Sequence, residues 1–401
     1  MLSSVQVIAF GAAIVTISMG VRHGFGLWML PMTQARGWSR EVFSTALAIQ
    51  NLVWGFAAVV AGMIADRFGA FRVIAAGAVL YATGLVGMAF AASPVQLLFA
   101  AGALIGTAQA GTTYSVVYGV VGRNVDAQRR SLAMGAIAAL GSFGQFLMVP
   151  IESNLIEIAG WASALIILGG VAALMLPLCF GLREPDFAGG GLPVREQSMT
   201  QALSQAIHYP SFLLLMAGYF VCGFQLAFIG IHVPGYLRDQ GLMPQVASYS
   251  LAIIGLMNVV GGYACGVLGE RMEKRVILAG IYFSRAVAIA LFVLAPVSAW
   301  SVFAFSAVMG LLWLSTVPAT QSIVAQIFGV QHLSMLGGVI FLSHQLGSFL
   351  GIWLGGVIFE NVGSYRPVWQ LSVLFGLVAG VLSLMVNGDP WRRAAARGVK
   401  L

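Results

Sequence analysis

The stretch VQVIAFGAAIVTISMGVRHGFGLWMLPM, residues 5–32, carries one formal charge, Arg22, with His23 beside it. A second apolar stretch, YPSFLLLMAGYFVCGFQLAFIGIHVPGYL at residues 209–237, repeats its layout 203 positions later: Gly20 matches Gly223, Arg22 matches Gln225 and Pro31 matches Pro234. A helix needs ~20 residues to cross a ~30 Å hydrocarbon core, so each stretch is long enough to span a membrane. A lone arginine at the centre of such a helix costs roughly 2.5 to 3.5 kcal/mol on insertion scales, so it should face protein or water rather than lipid. The repeat therefore points to two related halves, and Arg22 to a site between them.

The rest of the chain agrees. Of 401 residues, 59% are hydrophobic and 8% charged, and the mean hydropathy is +0.93; a soluble globule has ~25% charged residues. Apolar runs recur at about 5–32, 42–65, 73–92, 95–121, 131–152, 162–182, 209–237, 246–268, 276–296, 299–328, 334–358 and 368–387, giving twelve expected spans. The first is too long for the apolar core of a signal peptide and has no basic region before it, so it reads as a retained helix. Fourteen of the 20 basic residues, among them Arg67, Arg72, Arg123, Arg271 and Lys274, fall on one side of the expected topology. The other side has Arg36, Arg40, Arg238 and Arg366, which leaves Arg22 and Arg285 within the membrane. Because Lys and Arg accumulate in cytoplasmic loops, both termini are expected to be cytoplasmic. Short loops and compact termini fit a bacterial inner membrane.

The net charge of +7 is accounted for by this bias and by anionic lipid, so no nucleic-acid partner is implied. Cys179, Cys222 and Cys265 fall in expected spans without metal-ligand spacing; they read as packing residues, with neither a disulfide nor a metal site. No cofactor or catalytic motif is present, and a monomer in the bilayer is expected.

Between the sixth and seventh runs the composition turns to Glu184-Pro185-Asp186, then Ala188-Gly189-Gly190-Gly191 and a polar run from Arg195 to Gln205. This divides the chain into a six-helix bundle at 1–183, a cytoplasmic linker at 184–208 in which 198–207 can form a short surface helix, and a second bundle with a short tail at 209–401. Leu140-Gly141-Ser142-Phe143 returns as Leu346-Gly347-Ser348-Phe349, and Thr113-Tyr114-Ser115 as Thr320-Gln321-Ser322. Such parallel repeats place a substrate near the midplane, between the halves. The fold class is an all-α membrane protein of twelve transmembrane helices in two pseudo-symmetric six-helix bundles.

After the second run comes Gly62-Met63-Ile64-Ala65-Asp66-Arg67-Phe68-Gly69, followed by Arg72; after the eighth comes Gly266-Val267-Leu268-Gly269-Glu270-Arg271. These resemble the loop signature of the major facilitator superfamily, at both loops where that family carries it, and the resemblance implies the major facilitator fold and a transporter. Asp66, Arg67, Arg72, Glu270 and Arg271 are then gating candidates, since a carboxylate at a helix end beside arginines can pair with a neighbouring helix terminus. A positive-inside loop with ordinary caps is the alternative. Ala70 and Phe71 stand where the family signature has further basic residues.

The same resemblance implies that spans one, four, seven and ten line the cavity. The substrate-binding candidates are Arg22, Tyr114, Tyr118, Gln225, Trp313 and Gln321, in a site that also draws on Gln109, Phe224 and Thr316. Arg22 offers a planar fork suited to a carboxylate. Tyr114 and Tyr118 share one helix face at i, i+4. His23 and His344 are the proton-coupling candidates. Gln50, Asn51, Gln145, Asn258 and Gln345 read mostly as helix-to-helix hydrogen bonding, and the role of Arg285, Gln145 and Asn258 is left open, with carbonyl bonding or contact with Tyr282 as the structural reading for Arg285. Glu152 and Glu157, at the outer end of span five, are expected to stay solvated.

With no carboxylate expected at mid-membrane and a central cation, the expected substrate is a small organic anion, a monocarboxylate first, moved by alternating access with protons as the candidate coupling ion. The chain resembles the monocarboxylate porter and oxalate/formate exchanger branch in its Gly-rich spans four and five and in Arg22-His23-Gly24-Phe25-Gly26-Leu27. It departs from that branch at Gly262, where monocarboxylate porters carry an arginine, and in having no lysine in span eleven. The alternative is an exporter of drugs or amphiphilic metabolites with the same fold; an enzyme is not indicated.

Overall fold

The computed structural model describes residues 3–125, 127–184, 199–328 and 333–389, with the side chains of Asp66, Arg67, Gly122, Arg123, 127–132, Met199, Glu270, Leu333 and Ser334 outside the description. The inner part of the linker, 185–198, also lies outside the described residues. Among the described residues, twelve helices are long and apolar enough to cross a membrane: Ser4–His23, Arg40–Ala65, Ala70–Phe90, Pro94–Val121, Ala133–Ala159, Trp161–Leu182, Pro210–Asp239, Pro244–Gly269, Lys274–Leu294, Ala299–Phe328, Met335–Val362 and Arg366–Leu384. They are spans one to twelve below. No strand occurs among the described residues, as expected where a backbone group in hydrocarbon finds no water and must bond within its own helix. A helix at Met199–Ile207 precedes span seven.

Two apolar cores form among the described residues, one mainly of spans one to six with Ile352 of span eleven, and one mainly of spans seven to twelve with Val149 of span five. Glycine decides how closely the helices approach. A Cβ on Gly20 of span one would strike Gly144 and Met148 of span five, and one on Gly223 of span seven would strike the His344 carbonyl of span eleven. The matched glycines of the repeat thus make equivalent helix contacts, as small residues do in membrane bundles.

An even number of spans puts residues 3 and 389 on one face, called here the terminal face. The opposite face carries the connections around Gly37 and Gly241, both with positive φ. Among the described residues, every hydrogen bond between the two halves lies at mid-span or toward the opposite face, from Asn258–Ser142 at the deepest to the Arg40–Asp239 pair at the surface. Toward the terminal face the facing helices separate. No residue of span two from 56 to 64 is buried, Tyr263 of span eight is 78% exposed, and a Cβ on Gly62, Gly135, Gly266 or Gly338 would meet nothing. The cleft between the halves therefore opens on the terminal face.

Among the described residues, four spans are interrupted near mid-membrane; span six turns at Leu174, between Trp161–Ala173 and Met175–Cys179. Span one stops at His23, turns at Gly24 and resumes at Phe25–Arg36. Span four contains a π-helical stretch at Leu98–Leu104 and a break at Thr113, and span ten breaks between Leu312 and Thr316. Interruptions free backbone groups that regular helix would satisfy, and membrane proteins tolerate this only where protein or a cavity receives them.

Candidate functional site

Arg22 occupies the last turn before the break in span one. Its Nη2 donates to Asn51 Oδ1 of span two at 2.8 Å, and its guanidinium carbon lies 4.7 Å from the centroid of the Trp54 ring, one helical turn further on. The side chain is half-buried. Nη2 has its only hydrogen bond to a described residue in Asn51, while Nε is buried without a partner. The guanidinium is thus held from one edge and one face, with donors left over in the fork geometry that pairs with planar anions. Tyr114, which begins the helix after the break in span four, brings its phenol beside Arg22.

The second half completes the wall. Phe341 meets Trp54 edge-on at 5.3 Å, His344 stacks on Phe341 at 6.0 Å, and Tyr219 tilts against His344 at 5.2 Å. Polar contacts run the same way: Gln345 Nε2 donates to the Asn51 carbonyl at 3.1 Å and Gln345 Oε1 lies 3.0 Å from His344 Nδ1. One continuous strip from Arg22 to Tyr219 therefore crosses between the halves. Trp54, Phe341 and Tyr219 are not among the sequence candidates. Their available signal is position: Trp54 stands three residues after Asn51, and Phe341 three before His344.

The Major Facilitator Superfamily model matches residues 8–316. The chain belongs to that superfamily. Among curated relatives, the uncharacterized MFS-type transporter YcxA of Bacillus subtilis (strain 168) is 26% identical over 381 residues, covering 91% of this chain and 90% of that one. Monocarboxylate transporter 13 of Rattus norvegicus is 25% identical, covering 90% and 83%. Among solved structures, a bacterial homologue of the human lysosomal transporter Spinster, described as inward-facing and unoccupied, aligns with a TM-score of 0.75 at 17% identity over 96% of each chain; that likeness shows the fold. As a member of a superfamily of transporters, the chain is a transporter and not an enzyme.

Other candidates on superfamily cavity helices take different places. Tyr118 commits its hydroxyl to the Met134 carbonyl at 3.1 Å. Gln225, the repeat partner of Arg22, does not join the strip: it is fully buried and donates to the Ser372 carbonyl of span twelve at 2.9 Å, and Phe224 packs on Phe375 of the same span. A neutral amide can be turned into helix packing where a charge could not. Gln321 lies against Gly337 of span eleven. Gln109 is fully buried near Tyr81. Gln145 donates to the Leu251 carbonyl and Asn258 to Ser142, both across the halves, and Asn258 Oδ1 also accepts from the Leu314 N–H freed by the break in span ten.

At the same break, Arg285 Nη2 donates to the carbonyls of Leu312 and Trp313 at 2.5 and 2.6 Å. Its guanidinium lies 5.6 Å from the Tyr282 ring, so this cation caps a helix end. His23 Nδ1–H donates to the Met19 carbonyl at 2.6 Å, which leaves Nε2 as the ring's acceptor.

Of the gating candidates, Asp66, Arg67 and Glu270 have side chains outside the described residues. Arg72, in the first turn of span three, donates to the Phe68 carbonyl at 2.6 Å across the Gly69 connection, and Arg271 is exposed. Among the described residues, the ion pair between the halves lies on the opposite face. Arg40 grips Asp239 through Nη1 and Nη2 at 2.6 and 2.5 Å, its backbone N–H donates to Glu360 at 2.7 Å, and its Nη1 donates to the Tyr365 hydroxyl at 3.2 Å. That hydroxyl lies 3.2 Å from His232 Nδ1, whose ring donates through Nε2 to the Ile352 carbonyl at 2.8 Å.

One expectation is overturned. Glu157 is exposed, as its place near the end of span five suggests, but Glu152 is fully buried. Helical spacing puts Glu152 only ~10 Å from the end of that span, and what removes it from water is span one, which packs over it at Gly24 and Trp28. The chain therefore does hold a buried carboxylate. A separate cavity of about 300 Å³, lined by Cys265, Gly266, Gly269, Lys274, Pro318, Ala319 and Ser322, lies toward the terminal end of spans eight to ten, apart from the strip.

Proposed function

We propose that this transporter moves a small organic anion, a monocarboxylate first, by alternating access of residues 1–183 against 209–401. The reading assumes both termini on the cytoplasmic side of a bacterial inner membrane, as the distribution of basic residues favours. The observation that carries it is Arg22: a half-buried cation at the break of span one, with donors not used by protein, in the strip where the halves meet. One central cation neutralises one carboxylate, and the Trp54, Phe341 and Tyr219 rings supply an apolar wall for the remainder of a small solute. Relatives that bear the name monocarboxylate transporter support the same class.

Arg285 gives Nη2 to two carbonyls and is fully buried, with Nε and Nη1 unpartnered, whereas Arg22 is half-buried beside the strip, so Arg22 is taken first as the substrate cation. The exporter reading gains one observation, the buried carboxylate of Glu152. Its burial against Trp28 keeps it out of the open cleft, whereas Arg22 is partly accessible, so the anion reading stands first. The test is uptake of labelled lactate, pyruvate, formate, oxalate and an aromatic acid into proteoliposomes, with Arg22→Gln beside wild type. Saturable monocarboxylate flux that is lost in the variant supports the proposal. Transport of uncharged or cationic amphiphiles that survives the substitution would put the exporter first.

A further inference from the structure

Glu152 sits where span five passes the break in span one, and its surroundings are unlike those of an ordinary structural carboxylate. It is fully buried. Oε2 accepts one hydrogen bond, from Trp28 Nε1–H at 3.2 Å, and Oε1 is buried with no partner. The carboxyl lies against the backbone of Gly24 so closely that a Cβ there would collide with it.

The titratable or charged groups facing it are few. Span one carries Arg22 and His23 just before the turn, of which Arg22 is turned to Asn51 and Trp54 and His23 to the Met19 carbonyl. Span three brings the Tyr81 phenol, whose hydroxyl donates to the Ser18 carbonyl at 3.0 Å. Span four brings Tyr114, which lies against Gly141. The outer halves of spans six and eight offer no acid or base except the exposed Tyr249. No described cation pairs with Glu152.

An ionised carboxylate desolvated in this way, with one neutral donor and no counter-charge, is uncompensated by several kcal/mol. A protonated carboxyl has no such penalty, and its hydroxyl can turn toward the free side. We propose that Glu152 is a proton-binding site of the transport cycle: it is held as a carboxylic acid while the opposite face is closed, and it exchanges its proton with that side when the face opens. The step is one carboxylate oxygen taking one proton. Position supports the coupling. The group touches the turn that carries Arg22, and it lies on the same side of mid-span as the Gly26 contact with Gly230 and Ile231, where the halves seal. Opening that seal would move Phe25–Arg36 and admit water to the carboxyl. Protonation would then govern whether the break in span one can pack down over span five.

Protonation does not depend on the transported solute, whereas coupling rests on the transport reading above, so the test has two arms. In the first, substrate-free wild type, Glu152→Gln and Glu152→Asp, each reconstituted in lipid, are compared by infrared spectroscopy at neutral pH. The expected result is a protonated-carboxyl carbonyl stretch in wild type that disappears in Glu152→Gln and shifts in Glu152→Asp. Absence of that band in wild type, or its persistence in Glu152→Gln, overturns the proposal even if no anion is transported. In the second arm, a pH gradient of about one unit drives labelled lactate. One co-transported proton supports up to about tenfold accumulation above protein-free vesicles, and Glu152→Gln should reduce this to none while retaining lactate counterflow. Undiminished accumulation in the variant overturns the coupling role.

Discussion

On the opposite face, Arg40 closes over Asp239 through two parallel N–H···O bonds, stacks 4.0 Å from the centroid of Phe359, and touches Glu360 and Tyr365. On the terminal face, where the superfamily loop motifs lie, spans two and eight expose residues on the sides that could meet, and no described hydrogen bond joins the halves. The comparison separates two ways of holding a rocking molecule. The sealed face combines a charge-assisted pair with close glycine contacts, since Gly26 lies against the Gly230 carbonyl and Gly356 against the Ser44 side chain. Among the described residues of the open face the bonds are local, such as Arg72 to Phe68.

The comparison can be broken most severely by steric means. Met29→Cys, with the three native cysteines replaced by alanine, reports the seal, because Met29 is fully buried against Gly235. In that background Gly356→Val places methyl groups where Ser44 and Glu41 already stand. Overpacking costs typically 1–3 kcal/mol, so labelling of the introduced thiol by a membrane-impermeant maleimide should rise by up to about 100-fold and transport should fail. Unchanged labelling would mean that the halves do not close at Gly356.

Arg40→Gln comes next. The pair is partly exposed, with side-chain accessibilities of 13% for Arg40 and 32% for Asp239, so solvent screening reduces its worth. A loss of about 1–1.5 kcal/mol, roughly a tenfold rise in labelling, is expected from a bidentate pair of this kind. Gln345→Ala, which removes the bond to Asn51, should shift the same reporter about fivefold, the value of one neutral hydrogen bond of ~1 kcal/mol.

The smallest effects sharpen the contrast. Tyr365→Phe removes an acceptor from Arg40 and a neighbour from His232. Burial pushes that phenol up to about 12. Its neutral form therefore persists through the physiological range, and labelling of the otherwise unmodified seal should show no step from this group at neutral or mildly alkaline pH. Arg271→Gln, exposed on the open face, should leave labelling of the same thiol within about twofold, as surface substitutions cost at most ~0.5 kcal/mol. A large change there would show that the terminal-face motif already contributes in this conformation.

Much of this was legible in the chain. Apolar run length is a local property, so the spans and the repeat could be read directly, and the cost of a charge in hydrocarbon singled out Arg22 and Arg285. The repeat misled at one point: Gln225 stands in register with Arg22 but packs on span twelve, because an uncharged amide is free to satisfy itself on a helix carbonyl. Glu152 misled for the opposite reason. Its distance from the helix end suggested water, while the helix that covers it lies more than 100 residues away in sequence.

The sequence by itself determined a two-fold repeated, twelve-span membrane protein with a cation at the centre of its first span, since these follow from composition, periodicity and the energetics of lipid. Tertiary structure alone decided which face is sealed, that Asn51 and Trp54 hold Arg22, that Arg285 caps a broken helix, and that Glu152 is dry. Each of these depends on helices 27 to 294 residues apart meeting at particular heights. No local pattern encodes those heights, because the packing of small residues and interhelical hydrogen bonds sets them only once the bundle has formed.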